Sequence, residues 1–423
     1  MAKIELTSFA DITFESNKKL GYYLLGDRIY YNKFQALLDE ARQTEHRVKW
    51  FFNENEFIHA NWAEEPDESI NELYRRRAQQ LRDCYDYIRV EASGGADSTT
   101  AIFAFLLNGI PLDEVIFRYP KSGEKNVVNG AGDLSCENTL SEWNYAAKPL
   151  FDWIATHHPD TKITFHDYSE NLLADEKTRD ESWIFRTRHF LQPGHYTKHT
   201  NLLDHHKRIA DQGLRMCVLY GTDKPKVCIK DGKFWMYFVD APTGENDPNF
   251  GQYTNMTNEY FYWAPESTRM LAKQAHLIKQ WAEMPANHKM QNLLRWPNNS
   301  FATRTMYEQF VKSIIYPDYD SNTFQVVKST NNIYNEMDYW FHTNFKETRL
   351  YSTWEAGIDY LLDNINEQHV IRKHGRATDL TVFQSPFYCI GDCNIPVTSP
   401  LPNARPSNTG EYKHFINGKL LVY

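Results

Sequence analysis

Residues 86–109 read DYIRVEASGGADSTTAIFAFLLNG, a stretch that admits few folds. Tyr87, Arg89 and Glu91 alternate with Ile88, Val90 and Ala92, the period of a strand, and Ala101, Ile102, Ala104, Phe105, Leu106 and Leu107 then recur at helical spacing. Gly109 stands where a helix C-terminus takes a left-handed residue. Two consecutive glycines, Gly94 and Gly95, let the chain turn sharply between strand and helix and bring its backbone close to a ligand with no Cβ in the way. The first N–H groups of a helix have no intrahelical acceptor and carry the positive end of its dipole, so such a turn is an anion site. Ser93, Ser98 and Thr99 add hydroxyl donors at its rim. The ligand implied is a phosphate or pyrophosphate.

Two phosphate loops are excluded. A Walker A loop needs a lysine after its last glycine, and none follows here. The GxGxxG spacing of a dinucleotide turn is also missing. Ser93-Gly94-Gly95-Ala96-Asp97-Ser98 instead resembles the SGGxDS signature of the PP-loop ATP pyrophosphatase superfamily. That superfamily includes asparagine synthetase, GMP synthetase, argininosuccinate synthetase, tRNA-thiolating enzymes, QueC-type deazaguanine enzymes and phosphoadenosine phosphosulfate reductases. With its long aromatic flanks the chain is similar to PP-loop proteins of large tailed bacteriophages. The resemblance implies a Rossmann-like, HUP-type parallel sheet, ATP as ligand and Mg2+ as its companion. It places Ser93 to Thr99, Tyr119 and Gly221 at the nucleotide.

The rest of the chain supplies a matching frame. Glu114–Tyr119, KITFHDY and LRMCVLYG read as further strands, with SEWNYAAKPLFDWIATHH a helix among them. Strands alternating with helices argue for an α/β fold with a parallel sheet. Asp231-Gly232 is a hairpin turn, and Asn417-Gly418 another. The expected division is an N-terminal α+β segment over 1–83, a nucleotide-binding α/β domain over 84–245, and a mainly helical region over 246–423 ending in a hairpin. Ligands bind at the carboxyl ends of parallel strands, so the tip of the fourth strand, Gly221-Thr222-Asp223-Lys224, is the second place to look. There Asp223 with Asp97 would help hold Mg2+, and Lys224 would meet the phosphates; Asp97, Asp223 and Lys224 are the candidate catalytic residues.

Charge and composition bound the partners. A formal charge of −9 gives no footprint for long nucleic acid. The densest positive cluster, Arg75 to Arg77 with Arg82, reads as the solvated face of a helix over 70–83. MAKIELTSFADITF has no apolar core of signal-peptide length, and no run is long enough to span a membrane, so a cytoplasmic protein is expected. The six cysteines are scattered, and Cys389 with Cys393 lacks a second pair to complete a metal set, which makes them structural thiols. His195 and His199 stand one helical turn apart ahead of Asp204, His205 and His206, without the glutamate of HExxH. That segment reads as solvated or substrate-facing rather than as a metal site.

Cleavage of ATP between its α and β phosphates, with transfer of the adenylyl group to a carboxyl, carbonyl or amide oxygen of a small metabolite or nucleobase, is the expected chemistry. Ala2 follows Met1 where glutamine-dependent synthetases carry a catalytic cysteine, so ammonia transfer from glutamine is not expected. The alternatives are a sulfonucleotide reductase-like or sulfur-transfer enzyme, and a non-catalytic module that senses or scaffolds ATP.

Overall fold

The computed structural model describes residues 18–122, 142–175, 177–185, 191–197, 202–240, 253–296, 310–320, 336–374, 377–396, 413–416 and 419–422. The N-terminal segment forms three antiparallel strands, β1 (Tyr22–Leu25), β2 (Arg28–Tyr30) and β3 (Lys49–Phe51), in the order β2-β1-β3. Helix α1 (Lys33–Ala41) starts where the Asn32 side chain accepts from Gln35 N. A short turn of helix, α2 (Glu54–Phe57), precedes α3 (Ile70–Cys84), which Ser69 caps by accepting from Glu72 N. Arg75 and Arg76 pair with Glu72 and Glu68 on the outer side of α3. Arg77 departs from the solvated face expected of this cluster: it is buried, donates to the carbonyls of Tyr260 and Phe261, and pairs with Glu259.

From β4 (Tyr87–Glu91) the chain passes through α4 (Ala96–Leu106), β5 (Glu114–Tyr119), a π-turn at Trp143–Ala147, α5 (Lys148–His157) and β6 (Lys162–Asp167). It continues through α6 (Ser169–Asp175), α7 (Pro193–Thr197), α8 (Asp204–Asp211) and β7 (Met216–Tyr220). The hairpin β8 (Lys226–Lys230) and β9 (Lys233–Tyr237) turns through Asp231 and Gly232, both at positive φ, and β10 (Met256–Tyr260) follows. Five of these strands make one parallel sheet, ordered β6-β5-β4-β7-β10. The protein is therefore α/β with a Rossmann-like core. Its fifth strand lies past residue 245, in the segment read as the C-terminal region. The order reverses at β4, whose successor β5 lies on one side and β7 on the other. That is the switch point at which a crevice opens beyond the carboxyl ends of the strands.

The two faces of the sheet differ. Ile88, Val90, Val115, Phe117, Cys217 and Leu219 are buried on one face, where Trp143 packs on Phe117 and Phe165. The alternating polar residues Arg89, Glu114 and Arg118 lie on the other, and they too are buried. Period-two alternation ordinarily marks a half-solvated strand; here α8 closes the polar face as well, through His205 and His206.

Helix α9 (Thr268–Glu283) buries Met270, Leu271, Gln274 and Ile278 as its periodicity predicts. Its Lys273 pairs with Glu65, and His276 is buried against the carbonyl of Trp62. Helices Glu336–Phe345 and Arg349–Asn364 follow. Beyond them the expected helical character gives way to strands β11 (Val370–His374), β12 (Ala377–Leu380), β13 (Val382–Gln384) and β14 (Tyr388–Asp392). Runs of three to five residues are too short to show a period. β14 joins the β8–β9 hairpin, while β15 (Lys413–Ile416) and β16 (Lys419–Val422) pair antiparallel. The Asn417-Gly418 turn between them lies outside the described residues. Among the described residues no helix is long and apolar enough to cross a membrane.

Candidate functional site

The loop after β4 and the start of α4 fold as the sequence predicts. Gly95 is the N-cap of α4 in extended backbone, and Asp97 stands in the first turn, at the positive end of the helix. Gly94 adopts φ +71°, and a Cβ there would lie 2.4 Å from Ala147 N and 2.5 Å from the carbonyl carbon of Ala146. The loop is thus pressed onto the entrance to α5, and only glycine fits. Gly95 differs: a Cβ there would meet only Ser93 Oγ, at 3.2 Å. Among the described residues, the open side of the loop is the one in front of Gly95.

The hydroxyls divide their work. Ser98 Oγ donates to Gly95 O at 3.2 Å and accepts from Ser93 N at 3.2 Å, so it ties the loop to itself. Ser93 Oγ accepts from Gly95 N at 3.3 Å and remains partly exposed. Ser98 and Thr99 are both buried, which corrects their expected place at the rim. Ala96 is buried beneath the turn. Tyr119, the last residue of β5, is buried and stacks on Phe117 with centroids 5.7 Å apart.

The tip of β7 meets this loop. A Cβ on Gly221 would lie 2.7 Å from Ser98 Cα and 2.8 Å from Ser98 N, so the backbone after β7 rests directly on the first turn of α4. Three residues on, Lys224 is buried, and its Nζ donates to Asp97 Oδ2 at 2.9 Å and Oδ1 at 3.1 Å. It also reaches Asp223 Oδ1 at 3.3 Å, while Lys226 Nζ holds Asp223 Oδ2 at 3.1 Å. Asp97, Asp223 and Lys224, chosen from two strand tips more than a hundred residues apart, stand in one hydrogen-bonded cluster.

Three tyrosines that sequence reasoning did not single out back this cluster. Tyr316 OH donates to Asp97 Oδ1 at 2.6 Å, and Tyr262 OH donates to the backbone carbonyl of Asp97 at 2.8 Å. Tyr74 packs against both rings and donates to Ile315 O at 2.7 Å. Burial, and then the nearby Asp97 charge, push the Tyr316 hydroxyl well above its ordinary pKa, so it stays a donor. No spacing rule could have found Tyr316, which lies 219 residues from its partner.

Mg2+ does not fit the carboxylates as they stand. Each oxygen of Asp97 and Asp223 already accepts from a lysine ammonium, and a divalent ion would have to displace that like charge to reach it.

A second polar cluster lies on the far face of the sheet. Glu114, His205 and His206 bring three ligand-type atoms within 4.8 Å of one another. Their hydrogen bonds speak against a cation. Arginine only donates, so Arg89 Nη1, 3.0 Å from His206 Nδ1, makes that nitrogen an acceptor, as does Leu203 N at 3.2 Å. The proton then sits on Nε2, which donates to Glu114 Oε2 at 2.7 Å. Burial pushes His206 down to about 4, so it is neutral at pH 7. Burial alone would raise Glu114, but hydrogen bonds from His206 and Thr164 hold its carboxyl below the ordinary range. Arg89 continues to Glu91 at 2.8 Å, and Arg118 joins Glu91 at 3.2 Å to His166 at 2.7 Å. Among the described residues this is a largely buried layer in which Arg89 and Arg118 face Glu91 and Glu114. It corrects the reading of His206 as solvated or substrate-facing, while His205 is half-buried against Glu114. The side chain of His195 and the whole of His199 lie outside what is described.

Cys389 lies on β14 and Cys393 just beyond its end. Both are free thiols, and the strand pairing shifts register between Cys389 and Gly391. No protein-family model matches the sequence, and no curated protein matches it.

Proposed function

We propose that the chain is an ATP-dependent adenylylating enzyme of the PP-loop type, with its HUP-like core formed by the five-stranded sheet. The acceptor oxygen attacks the α-phosphorus of ATP, the bond to the α–β bridging oxygen breaks, and pyrophosphate leaves with that electron pair. The activated acyl or imidoyl adenylate is then open to a nitrogen nucleophile, which expels AMP. In this scheme the loop at Ser93–Gly95 and the N-terminus of α4 receive the phosphates in the free space before Gly95. Lys224 turns from Asp97 to the phosphates as ATP binds, and neutralises the charge that develops on the departing pyrophosphate. Tyr316 and Tyr262 keep Asp97 in place while it does so.

One observation carries this reading: the two strand tips at the switch point converge, with Gly221 resting on Ser98 and Lys224 bonded to Asp97. A sulfur-transfer role has less support. Burial raises the thiols of Cys217 and Cys228, which disfavours the thiolate at both.

The test is incubation of the purified chain with ATP, Mg2+ and a pool of metabolites or nucleobases, with products read by mass spectrometry. AMP and pyrophosphate in equal amounts, with a modified acceptor, are expected. Lys224→Ala is expected to slow turnover about a hundredfold while ATP affinity changes much less. ADP and phosphate as the only nucleotide products would refute the chemistry. Tight ATP binding with no turnover on any acceptor would make the chain a sensing module.

A further inference from the structure

Lys224 stands where a metal ion would be expected. Its ammonium touches both oxygens of Asp97 and one of Asp223, and Lys226 takes the remaining oxygen of Asp223. Among the described residues, two carboxylates here meet two ammoniums. Lys224 itself is buried, with a side chain 7% exposed, so its charge is poorly screened and its carboxylate partners are what hold it there. Tyr316 adds a donor on Asp97 Oδ1, which further occupies the lone pairs a cation would need.

We propose that Lys224 is a tethered counter-cation that closes the Asp97–Asp223 site to free divalent metal. A metal ion gains access to these carboxylates only when a polyphosphate draws the ammonium away, so metal and nucleotide bind together and neither carboxylate is a resident metal ligand. The closure by Lys224 rests on the geometry of the lysine and aspartate side chains alone. The coupling to nucleotide rests also on the ATP reading above.

Mn2+ titrated into the full chain, with the free ion followed by electron paramagnetic resonance, separates the two. Wild type without nucleotide is expected to leave the ion free. Lys224→Met is expected to take up one equivalent, at least about tenfold more tightly than wild type, because a like charge in contact with the site has gone. Adding Asp97→Asn to that variant is expected to abolish the uptake. Lys224→Gln, which keeps a donor for Asp97, serves the same purpose if circular dichroism shows the Met variant unfolded. Stoichiometric Mn2+ on wild type without nucleotide would overturn the proposal, as would a folded Lys224 variant that binds the ion no better than wild type. In a parallel arm, α,β-methylene-ATP is expected to bring Mn2+ onto wild type beyond what the nucleotide alone sequesters. Failure of that arm, with uptake by Lys224→Met intact, would remove the nucleotide reading and the coupling while leaving the closure by Lys224 standing.

Discussion

Gly94 and Gly95 are neighbours with opposite duties, and alanine at each should separate folding from binding. At Gly94 the backbone is left-handed, which costs an L-residue about 1–2 kcal/mol. The new methyl would also sit 2.4 Å from Ala147 N, a backbone atom that can move only with α5, and overpacking of this kind typically costs ~1–3 kcal/mol. Gly94→Ala should therefore lose roughly 2–5 kcal/mol. Gly95 has φ −71° and ψ 160°, open to any residue, and its methyl meets only the rotatable Ser93 hydroxyl. Gly95→Ala should stay within about 1 kcal/mol of wild type, since the smaller entropy of its unfolded chain offsets a mild contact. Its methyl projects into the space assigned to phosphate, and ATP affinity should fall by about fivefold or more, roughly the worth of one hydrogen bond. Urea unfolding followed by far-ultraviolet circular dichroism reads the first effect, and calorimetric titration with ATP and Mg2+ reads the second. A Gly94→Ala protein as stable as wild type would refute the packing argument. Unchanged ATP affinity in a folded Gly95→Ala protein would refute the loop as the phosphate site.

Gly221→Ala places a methyl 2.7 Å from Ser98 Cα and should lift the Lys224 loop off α4, costing ~1–3 kcal/mol and lowering turnover with it; a fully active variant would show that the two tips need not touch. Serine at both Cys389 and Cys393 should leave nucleotide binding intact and bound metal at zero, and stoichiometric zinc in wild type that the double variant loses would contradict this. The chain should lose stability as pH falls from 6.5 towards 4. His206, faced by Glu114, Arg89 and His205, is neutral when folded and protonates only near 4, whereas the unfolded state takes up its proton near 6.5. That protonation opposes folding by at most about 3 kcal/mol, and His206→Gln should flatten the slope of the unfolding midpoint across this window.

The parallel core was legible because its signals are local. Glu114–Tyr119 begins and ends as its apolar run does, and the Asp231-Gly232 turn falls between the two strands it joins. Strand tips follow from strands, and the switch-point rule then directs attention to residues 93–98 and 221–224 before any distance is known. What failed were inferences from pattern to solvent. Arg77 and His206 both occupy positions that the one-dimensional reading gives to water, and each is buried beside a partner from another element. A buried charge needs a specific partner, and a partner distant in sequence leaves no periodicity behind it.

The same limit explains what was missed at the site. Asp97 and Lys224 could be named because each sits at a strand tip, but nothing in either motif says that they bond to each other. Their pairing changes the chemistry expected of both. Asp97 alone, in the first turn of a helix beside open space, would be an obvious metal ligand; Asp97 held by Lys224 and Tyr316 is an anion already neutralised. Lys224 alone would be a free cation waiting for phosphate; Lys224 on two aspartates must exchange one set of anions for another. Binding is then an exchange of partners rather than an addition. On the reading proposed above, a polyphosphate that arrives with its own metal would satisfy both sides at once. A free metal or a single phosphate can satisfy only one, and would leave a buried charge unpaired. On the proposed reading, the site would select for ligands that carry both signs.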